Sequence, residues 1–335
     1  MKLRTPAAAL AALSLSACQP ATETQLAGAI QGTTYHIKVV LDQLPVTPDQ
    51  VKAEVEAAFK GVDEKLSNWR PDSEIARFNQ QKTTDWVNVS PDMVQVVGAA
   101  IDISRHTQGC YDLTVKPLFD LWGFSKHAEV VPAQADIDRT LAHIGMDKLE
   151  LDAAGQRMRK LDPEIQVSLD SIAQGYTVGM VAQRLEKLGI QNYLAEVGGE
   201  MQVKGRKANG QPWRVAVEKP TPLAQEAQRV LDIHEQQGTA VMTAGTYRNF
   251  FEAQGKTYSH ILDPRTGRPV THNLLSVTVL HADPTIADGW DTALLCVGEV
   301  EGEKIAEAQH LKALFIYRDG DQLKEWMSSA FTQAP

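Results

Sequence analysis

Cysteine is scarce: Cys18, Cys110 and Cys296 are the only three in 335 residues. None stands in a Cys-x-x-Cys or Cys/His spacing, which argues against a zinc site as the organising device. Long apolar runs are missing too. The longest, over 7–15, falls short of the roughly 20 residues that cross a bilayer as a helix. Basic groups are in the minority, 33 Lys and Arg against 42 Asp and Glu for a net charge of −9. The chain therefore lacks the positive footprint of a nucleic-acid binder. No internal repeat or low-complexity block is visible. The composition is that of an ordinary globular protein, long enough for one large core or two smaller ones.

What is present begins at the N-terminus. Lys2 and Arg4 precede the apolar run, which ends in Leu15-Ser16-Ala17-Cys18. A charged start, a short apolar stretch and a small-residue cleavage site form an export signal. Leu-Ser-Ala-Cys resembles a bacterial lipobox, in which Cys18 becomes the lipidated first residue; plain secretion with cleavage elsewhere is the alternative. Several acyl chains would hold the protein on a membrane. On this reading 1–17 is the signal, 18–28 a polar tether and 29–335 one folded domain. Without Lys2 and Arg4 the count is 31 basic against 42 acidic groups, a net charge of −11. In an exported chain Cys110 and Cys296 are able to pair, though their positions in the sequence do not decide it.

Strand and helix patterns then mix without strict alternation. Tyr35, Ile37 and Val39 alternate as one face of a strand. Thr47-Pro48 and Ser90-Pro91 read as caps followed by proline at the first helical position. Val51, Val55, Phe59, Val62 and Leu66 recur at helical spacing. Residues 165–169 read as a short strand feeding a turn, Asp170-Ser171-Ile172-Ala173-Gln174-Gly175-Tyr176, and a helix. That turn is either a tight packing corner or a place where backbone N–H groups approach an anion. It has neither the Gly-Lys-Ser/Thr ending of a P-loop nor a Gly-x-Gly-x-x-Gly pattern. Strand-like stretches surround Gly198-Gly199, and an Asp319-Gly320 hairpin closes the chain. The pattern predicts an α+β fold of mixed or antiparallel sheets with packed helices.

Two stretches carry candidate chemistry. In 287–295, Asp288, Asp291 and Thr292 lie at i, i+3 and i+4, on one face of a helix. Such residues either cap a helix start or hold a hard cation such as Mg²⁺, which relieves the repulsion between two close carboxylates. The turn-rich stretch 259–269 carries His260, an ordinary solvated loop histidine or a base. Trp69, in a polar turn, is either core or a stacking surface for a planar ligand.

Taken together, these stretches resemble the ApbE family, the FAD:protein FMN transferases of bacterial membranes, over 31–331. The resemblance rests on Gly32-Thr33, Leu66-Ser67-x-Trp69-x-x-Asp72-Ser73, Asp112-Leu113-Thr114-Val115, Leu121-Trp122-Gly123-Phe124, Ser171-x-x-x-Gly175-Tyr176, Val197-Gly198-Gly199, Ser259-His260-x-x-Asp263-Pro264-x-Thr266-Gly267 and Ala287-Asp288-x-x-Asp291-Thr292-Ala293. It implies a T-fold-like architecture and a flavin transferase catalytic domain. The implied chemistry is Mg²⁺-dependent transfer of FMN from FAD to a Thr or Ser hydroxyl of a membrane flavoprotein, with release of AMP. By position, the flavin contacts would be Gln31, Trp69, Cys110, Tyr111, Asp112, Ser168, Gln174 and Leu262. The metal would be held by Ser171, Asp288, Asp291 and Thr292, and His260 would be the catalytic base. The family more often has Met at the position of Gln31 and Asp at that of Ser168. The implied location is the periplasmic side of a bacterial membrane, through the lipid on Cys18. An FAD pyrophosphatase with water as acceptor, or a flavin-carrying lipoprotein, are the competing readings.

Overall fold

A computed structural model describes residues 22–332, apart from 43, 127, 129, 222–225, 248 and 254. The expected signal sequence and Cys18 lie outside the described residues. Eight strands form one sheet: β1 (Glu23–Ile30), β2 (Thr33–Val40), β3 (Tyr193–Val197), β4 (Glu200–Lys204), β5 (Thr239–Gly245), β6 (Leu274–His281), β7 (Lys312–Asp319) and β8 (Gln322–Met327). Each pairs with the next in chain order, and every pairing is antiparallel. The expected α+β class holds, with the main sheet antiparallel throughout.

The helices are α1 (Pro48–Leu66), α2 (Glu74–Gln80), α3 (Pro91–His106), α4 (Lys116–Leu121), α5 (Gln134–Leu141), α6 (Ala173–Lys187), α7 (Pro284–Val297) and α8 (Glu299–Ala308), before a last turn at Ser329–Thr332. Their starts follow the caps. Thr47 and Gln50 form a reciprocal capping box on α1, and Ser90 caps α3. The apolar stripes of α1, α3, α6 and α7 cover one face of the sheet. Val55, Phe59, Val97, Val181 and Leu294 meet Ile37, Ala195, Met242, Val279 and Phe315 in one continuous core. Strand alternation turns Val203, Val241 and Leu280 to the opposite face, where Trp213, Val215 and Ile233 of the hairpin Trp213–Glu218/Ala227–Ile233 cover them.

Two expectations are corrected. The supposed tether is a strand from Glu23 onward. Its residues alternate between exposed and half-buried and pair with β2 along all eight positions. Its polar residues, Glu23, Thr24 and Gln25, are clustered at the start and its later residues are mostly small, so the stretch reads as a polar tether when its partner is unknown. Residues 165–169 form no strand. Ile165, Val167 and Leu169 are fully buried, but two side-chain amides substitute for a neighbouring strand. Asn79 donates to the Val167 carbonyl and accepts from its N–H, both at 2.8 Å. Asn68 donates to the same carbonyl at 2.8 Å and accepts from the Leu169 N–H at 2.9 Å. Among the described residues no helix is long and apolar enough to cross a membrane.

Candidate metal and flavin site

Helix α7 starts at Asp283, whose carboxylate accepts the Thr285 and Ile286 N–H groups, with Pro284 next. Asp288, Asp291 and Thr292 therefore lie in the interior of the helix, which removes the capping explanation for them. Asp288 is 6 % exposed and Asp291 1 %. Carboxylates are almost never buried so completely without a compensating partner.

Asp288 has a partial partner. Its Oδ2 accepts the Gly175 N–H of α6 at 2.6 Å, so the start of that helix is engaged by a carboxylate of the protein. Of the two readings of this turn, the packing corner describes the Gly175 N–H, which meets a carboxylate of the chain itself. The contact requires glycine: a Cβ at 175 would stand 2.3 Å from the Pro284 carbonyl oxygen and 2.5 Å from Asp288 Cβ. Burial still pushes the Asp288 carboxyl up to about 7, against the Gly175 hydrogen bond. Asp291 is in a harsher position. Both of its oxygens are buried and neither meets a donor in good hydrogen-bond geometry, although the Thr292 N–H and hydroxyl act to lower its pKa. Burial, then the charges of Glu200 and Asp288, hold its carboxyl well above the usual range.

Glu200, at the start of β4, was not among the residues singled out from the sequence. It is 8 % exposed, and its Oε2 accepts the Thr243 N–H at 3.0 Å. One carboxylate oxygen from each of Glu200, Asp288 and Asp291 lies within 4.8 Å of the others. Three converging carboxylates, one without a hydrogen bond of good geometry, are the donor set of a hard divalent cation. The residues present fit Mg²⁺. A signal for Glu200 does exist: Glu200 and Gln202 alternate with Met201 and Val203, which face the covering hairpin.

The other expected positions surround this cluster unevenly. Ser171 lies two residues before α6. Its carbonyl accepts the Tyr111 hydroxyl at 3.3 Å, and its Oγ donates to Tyr111 Oη at 3.1 Å. Burial raises the Tyr111 hydroxyl far above its ordinary value; the Ser171 hydrogen bond opposes this and the charges of Asp288 and Asp291 add to it. The Tyr111 hydroxyl oxygen would stand 3.5 Å from a Cβ on Gly289, which sets it against α7 next to Asp288. Thr292 is half-buried one turn after Asp288. Gln174 donates to the Val197 carbonyl at 3.1 Å and fills the space beside Gly198, where a Cβ would fall 1.8 Å from its Nε2. Gln31 bridges the β1–β2 turn to both helices beneath it, donating to Asp63 at 2.8 Å and accepting from Thr177 at 3.5 Å. Ser168 Oγ donates to Asp170 at 3.0 Å. Trp69 is 75 % exposed, so it is not core.

Three of the expected flavin contacts have other engagements. Cys110 forms a disulfide with Cys296 of α7, so it offers no thiol. Asp112 accepts from the Thr114 N–H and hydroxyl, both at 2.6 Å, and from the Met146 N–H at 3.2 Å; it braces a turn. Leu262 is buried in a cluster with Trp122, Ile137 and Phe251. His260 stands in the loop before it. The ring Nδ1 lies 2.9 Å from the Asn249 carbonyl. A carbonyl only accepts, so Nδ1 carries the proton and neutral His260 presents a free lone pair on Nε2. Burial lowers its pKa, which favours that neutral form. The loop reaches α7 at Asp263, whose carboxylate lies within 4.8 Å of the Cys110 and Cys296 sulfurs. A cavity of about 950 Å³ lies elsewhere in the fold. Trp86, Arg105, Met146 and Arg265 line it, and of the expected site residues it includes only Asp112.

Comparison with known proteins now adds to the geometry. The model of the ApbE family matches residues 31–315. The chain belongs to the ApbE family. Relatives named FAD:protein FMN transferase include one from Vibrio cholerae, 39% identical over 322 residues, covering 95% of each chain. Another, from Haemophilus influenzae, is 38% identical over 327 residues, covering 96% of this chain and 94% of the relative. Among solved structures, the flavin transferase ApbE of Vibrio cholerae superposes with a TM-score of 0.85 at 38% identity, covering 93% of this chain and 99% of the other. The apo flavinyl transferase ApbE of Pseudomonas stutzeri gives 0.85 at 36% identity, with 93% and 96% covered. These two ApbE structures thus share the fold described above.

Proposed function

We propose that this chain is an FAD:protein FMN transferase: it cleaves the pyrophosphate of FAD, joins the FMN half to a Thr or Ser hydroxyl of a partner protein, and releases AMP. The observation that carries this reading is the Asp291 carboxylate, buried and without a hydrogen bond of good geometry, clustered with Asp288 and Glu200. Flavin storage alone needs no such cluster, whereas phosphoryl transfer needs charge neutralised on the pyrophosphate. Asp288 and Asp291 would hold Mg²⁺, with Thr292 and the Ser171 carbonyl at the rim. When bound, the ion would supply that neutralisation.

The chain's own groups do the rest. The Gly175 N–H holds Asp288 in place, and the Tyr111 hydroxyl fixes the Ser171 peptide. The exposed ring of Trp69 offers a stacking face for the isoalloxazine, and Gln31, Ser168 and Gln174 offer polar contacts. The acceptor hydroxyl oxygen attacks the FMN phosphorus. The bond from that phosphorus to the bridging oxygen breaks, and AMP leaves with the electron pair. His260 Nε2 accepts the hydroxyl proton, a contribution of about 10²–10⁴-fold. Because the acceptor must reach a phosphorus held at the cluster, we expect its Thr on an accessible loop, in a flavoprotein subunit of a membrane redox complex. Lipidation of Cys18 would hold the enzyme on the periplasmic side of the same membrane.

The test is incubation with FAD, Mg²⁺ and a Thr-bearing acceptor, followed by in-gel flavin fluorescence, mass spectrometry and AMP measurement. The acceptor is expected to gain one FMN less water, with one AMP per flavin attached. AMP release with no protein labelling across acceptors would mark a hydrolase, and a gain of whole FAD would rule out pyrophosphate cleavage.

A further inference from the structure

We infer that the Cys110–Cys296 disulfide positions the cation site: it locks the Tyr111 segment onto α7 and so holds the Ser171 carbonyl in register with Asp288. This rests on the metal reading above and deepens it, because neither cysteine is itself a ligand.

The segment is stiff before it meets α7. Gln108 and Gly109, both at positive φ, reverse the chain after α3. Thr107 then pins it. Its carbonyl accepts the Cys110 N–H at 3.0 Å, and its hydroxyl oxygen accepts the Tyr111 N–H at 3.3 Å. From there two consecutive residues grip α7. Cys110 is bonded to Cys296 in the last turn of that helix. The Tyr111 hydroxyl oxygen stands 3.5 Å from where a Cβ on Gly289 would lie. Gly289 and Cys296 are seven residues apart, which is two turns, or about 10 Å, along one face of a helix.

These contacts close a circuit. Tyr111 donates to the Ser171 carbonyl at 3.3 Å and accepts from Ser171 Oγ at 3.1 Å. A turn later the Gly175 N–H donates to Asp288 at 2.6 Å. Helix α7 carries the circuit from Asp288 back to Cys296. Two expected ligands, Ser171 and Asp288, are therefore nodes of a loop with one covalent link. Groups that bind a metal must be held to within about 0.5 Å. A bond across 186 positions also stabilises the fold by restricting the unfolded chain, but that effect leaves the geometry of the folded site as it is. Its place on the circuit is what couples this bond to the site. The His260 loop meets the same point, since the Asp263 carboxylate lies within 4.8 Å of both sulfurs.

Cys110→Ala with Cys296→Ala opens the circuit at its covalent link. Tyr111→Phe opens it at Ser171 and leaves the disulfide intact. Mn²⁺ is titrated into each purified protein without flavin, well below its melting temperature, and free Mn²⁺ is followed by electron paramagnetic resonance. Wild type is expected to bind. The cysteine variant is expected to bind about tenfold more weakly or worse, the scale for groups that orient metal ligands, and Tyr111→Phe to be weakened as well. All three substitutions together should bind within about twofold of the cysteine variant, since a circuit opens only once. A cysteine variant with a lowered Tm but Mn²⁺ affinity within about twofold of wild type would make the disulfide a stabiliser only and overturn the proposal, as would losses that multiply in the combined protein. Wild type that binds no Mn²⁺ at millimolar concentration would overturn the metal reading itself and the proposal with it. Should the cysteine variant fail to fold, wild type opened by a dithiol carries the test. The dithiol supplies two electrons and two protons, becomes a cyclic disulfide and leaves two thiols, seen as a mass gain of two hydrogens. The same weakening of Mn²⁺ is expected, and an unchanged affinity overturns the assignment.

Discussion

Asp288→Asn is expected to stabilise the metal-free protein while removing its response to metal. Burial moves this carboxyl from 3.8 to about 7. At about 1.4 kcal/mol per pH unit, keeping it ionised at pH 8 costs the folded chain about 4 kcal/mol. Asparagine removes that cost. Its oxygen still accepts the Gly175 N–H, and its NH₂ adds a donor facing Asp291. The expected gain at pH 8 in EDTA is about 2–4 kcal/mol, or several degrees in Tm at roughly 2–4 °C per kcal/mol. The sign with pH follows from proton counting. The folded carboxyl keeps its proton up to about pH 7, whereas the unfolded one loses it near 4. The wild type should therefore lose stability as pH rises between those values, and the variant should lose less. With Mg²⁺ at 100 times its Kd, wild type should regain about 2.7 kcal/mol, and Asp288→Asn should regain little. The assay is a set of thermal melts at pH 5 and pH 8, with EDTA and with Mg²⁺. A variant that melts below wild type at pH 8 in EDTA, or that keeps the full Mg²⁺ response, would refute the reasoning.

Further outcomes are expected from the same geometry. Gly175→Ala should cost about 2–4 kcal/mol, because its Cβ meets the Pro284 carbonyl and Asp288; a denaturant midpoint equal to wild type would show that α6 and α7 separate freely. His260→Ala should lower turnover about 10²–10⁴-fold with FAD affinity unchanged, as read by kinetics beside equilibrium titration. Because burial lowers the His260 pKa, the acid limb of the wild-type rate should lie below pH 6.5, and a limb above that value would assign the base elsewhere. Cys18→Ala should leave the protein unprocessed or free of the membrane, which fractionation and mass spectrometry of the N-terminus would show.

Legibility from the sequence followed the range of the interactions. The caps at Thr47 and Ser90, the alternation of Tyr35, Ile37 and Val39 and the Asp319-Gly320 hairpin are local, and each appears where it was expected. Asp288 and Asp291 were visible because a helix brings i and i+3 together. Glu200 was not, because it meets them only through the register of β4 and the packing of α7 across it. The tether and the false strand at 165–169 fail for the same reason. In the first a partner strand was present that local pattern does not show. In the second buried apolar residues had side-chain amides where a strand was expected. The disulfide was open for want of distance, and the fold brings Cys110 and Cys296 together across 186 positions.

The order of the strands has a consequence for how such a chain can change length. Because the eight strands pair in sequence order, every long connection leaves the sheet and returns beside its point of departure. Apart from Glu200 and Gln31, which sits in the tight β1–β2 turn, all the candidate flavin, metal and catalytic residues described above ride on these excursions. Lengthening a flexible excursion costs only about 0.6 kcal/mol per doubling, so the frame itself does not limit growth at 205–238, where the covering hairpin carries none of those residues. The excursion through 282–311 has no such freedom. An insertion of one residue before Asp288 would turn the face of α7 by about 100° and carry its carboxylates away from Glu200. Length variation tolerated in the first and refused in the second would be the mark of a frame whose chemistry is held in register from a single strand.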